Sequence, residues 1–86
     1  MADRTDIEDL GSKAFQFLAK SYELTGGMES RVTHMDKVGA ELGFEPPVNI
    51  AAHDHLVQEG LIRPAGMGGE ISITPKGIAR VEAAHS

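Results

Sequence analysis

Eighty-six residues, 41% of them hydrophobic, make one small domain; a chain this short buries only about 60–65% of its unfolded surface, so each apolar position counts. No cysteine is present, which excludes disulfides and thiolate metal sites. Thirteen acids against eight lysines and arginines give a net charge of −5, a sign that opposes non-specific attraction to phosphate but leaves room for a local basic patch.

No run approaches the ~18 apolar residues needed to cross a bilayer, so no membrane partner is expected. The opening MADRTDIEDL carries acids where a secretory signal would be apolar, and the expected location is the cytoplasm.

The spacing predicts a first helix from about Thr5 to Leu24. Thr5 and Glu8 fit a capping box, and Asp6, Glu8 and Asp9 suit the positive end of a helix dipole. Ile7, Leu10, Ala14, Phe15, Phe17, Leu18, Tyr22 and Leu24 fall on one face, roughly 180° wide at helical periodicity. Gly11 interrupts it, so the main helix is expected to begin at Ser12, and Gly26-Gly27 to end it. A face this broad either covers two elements of the domain's own core or leaves Phe15 and Tyr22, on one rim, for a homodimer surface.

Ser30-Arg31-Val32 reads as a short first strand and Thr33 as the N-cap of a second helix, His34 to Leu42, with Gly43 as its stop. Phe44 to Pro47 is a turn. Pro47 suits the first position of a third helix reaching Glu59, with Val48, Ala51, Ala52, His55 and Leu56 inward and Gly60 as the stop. Two short helices about a tight turn constitute a helix-turn-helix signal.

Leu61 to Arg63 and Glu70 to Thr74 read as strands, Ile71 and Ile73 inward, joined by the glycine-rich turn Pro64 to Gly69. Thr74 caps a last helix with Pro75 in its first turn and Ile78, Val81 and Ala84 inward. The expectation is a single α+β domain over residues 1–86: a three-helix core, a two- to three-stranded β-wing and a C-terminal helix.

The stretch HLVQEGLIRPAGMGGEISITPKGIARVEAA resembles the recognition-helix end, wing and closing helix of small winged helix-turn-helix regulators of the multiple-antibiotic-resistance and phenolic-acid types. Leu56, Glu59-Gly60-Leu61-Ile62, Ile71, Ile73, Thr74-Pro75-Lys76-Gly77 and Val81-Glu82 carry the likeness, which extends over about Phe17 to Ala84. It implies a transcription regulator that binds double-stranded DNA through the solvent face of the third helix. The groove-facing candidates are then Pro47, Asn49, Ile50, His53, Asp54 and Val57. Asn49 would pair with adenine and His53 donate to a base or phosphate, with Arg63 at the base of the wing and Arg31 and Lys76 on phosphate.

Charge supports a different reading. The third helix has no Lys or Arg, and residues 31–60 hold two basic residues (Arg31, Lys37) against five acidic (Asp36, Glu41, Glu45, Asp54, Glu59), a net of −3. The alternative is a winged-helix interaction module without direct DNA binding, its contact face the acidic third helix and a wing tip bearing Met67. An exposed methionine there is a soft contact for an apolar partner; otherwise it folds back on its hairpin.

In His53-Asp54-His55 the two imidazoles point about 200° apart on a helix and do not chelate one ion, so a metal site would need His34 or His85 from elsewhere. There is no nucleophile elbow and no phosphate-cradling glycine loop between strand and helix, so neither enzyme activity nor a cofactor is expected.

Overall fold

Apolar positions at helical spacing on either side of Gly11 have one face to bury, and the helix they form runs straight through the glycine. The computed structural model describes the backbone of residues 2–85 and the side chains of residues 10–84. The first helix, α1, spans Ala2–Thr25, so it neither starts at Thr5 nor waits for Ser12. The helix continues through Gly11 despite the ~1 kcal/mol that glycine costs inside a helix, and Ala14, Phe17 and Leu18 beyond it are buried in the core. The Thr5–Glu8 capping pair and Ile7 lie outside the described side chains.

The remaining elements are β1 (Thr33–His34), α2 (Met35–Leu42), α3 (Pro46–Gln58), β2 (Ile62–Pro64), β3 (Glu70–Ile73) and α4 (Pro75–His85). Among the described residues this is an α+β fold of four helices and one antiparallel sheet, ordered β1-β3-β2. Thr33 pairs with Ile71 and His34 with Glu70 on one side of β3; Ile62, Arg63 and Pro64 pair with Ile73, Ser72 and Ile71 on the other. Pro64 lies in an edge strand, where a missing N–H is tolerated. No described helix is long and apolar enough to cross a membrane.

One core joins all layers. Ala14, Phe17 and Leu18 of α1 meet Val38 of α2, Ala52 and Leu56 of α3, Ile62, Ile71 and Ile73 of the sheet, and Val81 of α4. Two buried hydroxyls on α1 are satisfied within the helix: Ser21 Oγ donates to the Phe17 carbonyl at 2.9 Å, and Thr25 Oγ1 to that of Ser21 at 2.8 Å.

Several boundaries differ from expectation. Residues 30–32 form a turn and a linker, tightened by Arg31 N–H donating to the Met28 carbonyl, and pairing begins only at Thr33. His34, not Thr33, caps α2: Asp36 N–H donates to its Nδ1 at 3.1 Å. Helix α3 starts at Pro46 because Glu45, with φ −72° and ψ 153°, is already the extended cap residue. Ala84 is exposed rather than inward. The stops hold: Gly43 and Gly60 are left-handed at φ 71° and 75°.

Candidate functional site

Helix α3 is the element on which a nucleic-acid or protein contact would rest, and its packing against α2 decides which side chains it shows. Asn49 faces α2 and is only 5% exposed. Its Nδ2 donates to the Met35 carbonyl at 3.0 Å across the helix pair. The carboxamide lies flat on Gly39, where an added Cβ would come within 2.5–2.6 Å of its atoms. Asn49 Oδ1 is buried and accepts no hydrogen bond among the described residues. The expectation of a groove-facing Asn49 is therefore corrected: its amide joins α2 to α3.

The two histidines of α3 exchange the places expected of them. His55 is exposed. The His53 side chain is 17% exposed, its ring stands edge-on to Phe17 at 6.4 Å, and its Nδ1 lies 3.0 Å from Asp54 Oδ1. Pro47, Ile50 and Asp54 remain on the surface, with Val57 half-buried. What α3 shows to solvent is Pro46, Pro47, Ile50, Asp54, His55 and Gln58, with neither Lys nor Arg.

The basic candidates sit on three different elements. Arg31 is exposed in the linker after α1. Arg63 lies on β2, where its Nε donates to Ser72 Oγ at 3.3 Å across the ladder. Lys76, in the first turn of α4, donates from Nζ to the Glu59 carbonyl at 2.8 Å. That carbonyl is at the C-terminus of α3, where a cation complements the helix dipole. Lys76 thus closes a helix end, a role unpredictable without knowing that α4 starts beside it.

The β2–β3 connection is tied down. Glu70 receives two bonds, from Ala65 N–H on its carbonyl at 2.8 Å and from Gly68 N–H on Oε1 at 3.1 Å. Met35 N–H donates to the Gly69 carbonyl at 3.0 Å. His34 completes the tie: because Nδ1 accepts from Asp36 N–H, the ring proton resides on Nε2, which donates to the Gly68 carbonyl. Gly69 has φ 93°, and a Cβ there would fall 2.8 Å from the His34 ring. Met67, at the tip, does not fold back and is fully exposed.

Between α2 and α3 opens a cleft of about 260 Å³, walled by Gly39, Ala40, Phe44, Pro46, Asn49 and Ile50, with Asp36 at its edge. Ile50 is 52% exposed. On α1, Phe15 packs half-buried against the core. Tyr22 Oη donates to Glu82 Oε2 at 3.1 Å, joining α1 to α4. The Glu82 carboxylate that accepts this bond raises the Tyr22 pKa, with burial and the carboxylate's charge acting in the same direction. Both aromatics proposed for a dimer rim are thus engaged within their own chain. Among the described residues, no group of three His, Asp or Glu side chains is placed to hold a metal ion.

Comparison with models of protein families, with curated proteins and with solved structures finds no match.

Proposed function

We propose that this chain is a winged-helix module whose α2–α3 face engages a protein partner rather than reading duplex DNA directly. The architecture that supports a winged helix is the succession α2, turn, α3, β2–β3 hairpin, with β1 completing the sheet and α4 closing the core. One observation carries the choice of ligand. The side chain best suited to read a base, Asn49, is buried and bonded to Met35, on a helix without Lys or Arg. Half or more of the hydrogen bonds at protein–DNA interfaces go to phosphate and sugar, so a DNA reader needs donors on this face. Lys76, a further candidate, spends its ammonium on the end of α3.

Direct DNA binding in transcription regulation is the second reading. It is favoured by the exposed Arg63 at the base of the hairpin and by the resemblance to winged-helix regulators. A fluorescence titration with random duplex DNA at about 50 mM salt separates the two, because phosphate-driven binding is tight there and falls steeply as salt rises. The expected outcome is no binding at micromolar protein. Salt-sensitive binding that weakens on Arg63→Ala reverses the assignment in favour of DNA.

A further inference from the structure

The α2–α3 cleft combines two features that are seldom left together on a surface. It is open and mostly apolar, between Phe44 and Ile50. In its wall sits a polar atom without a partner: Asn49 Oδ1 is buried, while Nδ2 of the same amide is held by Met35, so the amide cannot turn over without losing that bond. Buried acceptors are nearly always satisfied in folded proteins; this one lies beneath the cleft surface, so Asn49 is a fixed part of the wall and the choice of occupant rests on shape and charge.

The surroundings select the occupant. Asp36, whose side chain is 82% exposed, stands at the edge. Glu41 and Glu45 adjoin the lining residues Ala40, Phe44 and Pro46 in sequence, and both are exposed. Lys37 is the one basic side chain in α2 and α3 has none; Lys13 of α1 stands 5.7 Å from the centre of the Phe44 ring, so three acids outnumber two lysines around the cleft. A surface with this balance attracts cations and repels phosphate. A second copy of the chain is a poor occupant, since a symmetric contact would set the same acids against one another.

We infer that the α2–α3 cleft is the docking site for a basic, amphipathic segment of a partner protein. One apolar side chain of that segment enters between Phe44 and Ile50, and a neighbouring Lys or Arg meets Asp36. The inference rests on the protein-binding reading above and adds the place and the chemistry of the partner. Apolar anchors flanked by complementary charge are the usual form of helix-in-groove recognition.

The test uses the full chain, labelled with ¹⁵N, titrated with helical peptides built of Leu, Lys and Arg with the leucines at helical spacing. Counterparts carrying Glu at every cationic position serve as the second arm. Saturable shifts are expected at the Gly39, Phe44 and Ile50 amides and the Asn49 side-chain amide with the basic peptides alone. Ile50→Asp, a change at an exposed site, is expected to weaken binding by about tenfold or more, the equivalent of about 1.4 kcal/mol. Glu45→Gln is expected to reduce the salt dependence with the fold intact by circular dichroism. Shifts confined to another face, equal binding of both peptide classes, or no shift at millimolar peptide each overturn the site. The first of these leaves the protein-binding reading standing. Duplex DNA shifting the same amides overturns both.

Discussion

The contact between Gly39 and Asn49 shows how one small residue fixes what a neighbouring helix displays. Only hydrogen at position 39 lets the Asn49 amide lie flat and reach the Met35 carbonyl. Gly39→Ala is therefore expected to cost about 1–3 kcal/mol by overpacking, read from urea denaturation. In an Asn49→Ala background the obstacle is gone. There the same change is expected to be neutral or to stabilise by up to ~1 kcal/mol, because alanine is the better helix former. An equal cost in both backgrounds would show that the two residues are not coupled. The sequence alone does not reveal this pair, since an asparagine three residues into a helix is a donor wherever it points. What decides is a carbonyl fourteen positions earlier. His53 and His55 exchanged places for a related reason: the packing of α3 on α1 brings His53, not His55, against Phe17.

Tyr22 gives a second test at this scale. It is the only tyrosine, and there is no tryptophan, so its phenolate absorbance is read without interference. Its pKa is raised because Glu82 accepts a hydrogen bond from the neutral phenol. The contribution to stability is thus complete below the ordinary tyrosine pKa of about 10 and lost as pH rises through the higher folded value. The absorbance midpoint is expected above about 10 in the folded chain, and Glu82→Gln is expected to bring it down. A midpoint unchanged by Glu82→Gln would exclude the bond between α1 and α4.

Among the elements, the joint between α3 and α4 concentrates the most chemistry in the fewest residues. Thr74 Oγ1 accepts from Gly77 N–H at 3.0 Å and donates to the Gly60 carbonyl at 2.7 Å, so one hydroxyl caps α4 and holds the stop of α3. Gly77 admits no side chain, because a Cβ would lie 2.1 Å from the Leu61 carbonyl oxygen. Thr74→Ala is expected to cost about 1–2 kcal/mol, and Thr74→Ser to restore most of it. In thermal melts, each kcal/mol lost corresponds to roughly 4–8 °C for a domain of this size. These caps and stops were legible because they depend on local backbone chemistry: glycine after a helix, threonine before a Pro. Strand β1 and the α2 cap were displaced because the Gly68 and Gly69 carbonyls, far along the chain, select His34 and Met35 as their partners.

Over the whole molecule, the order and type of elements from α2 to α4 followed from apolar periodicity and punctuation, as did Leu56, Ile71, Ile73 and Val81 in the core. The absence of Lys and Arg from α3 was equally plain from its residues. The cleft was not. It depends on the angle at which Phe44 and Pro46 carry the chain from α2 to α3, a property of packing that no linear pattern contains.

The strand order β1-β3-β2 also sets a sequence of events in time. The central strand is the last of the three along the chain, so during synthesis no part of the sheet exists until Glu70 to Ile73 have emerged. The β2–β3 hairpin then closes over a short loop, whereas β1 reaches β3 only across all of α2 and α3, and nearby pairings form before distant ones. Until then the inward faces of α1 and α3 have no sheet to cover them. That leaves a nascent chain of this protein with an uncovered apolar surface at the stage when aggregation or a chaperone competes with folding.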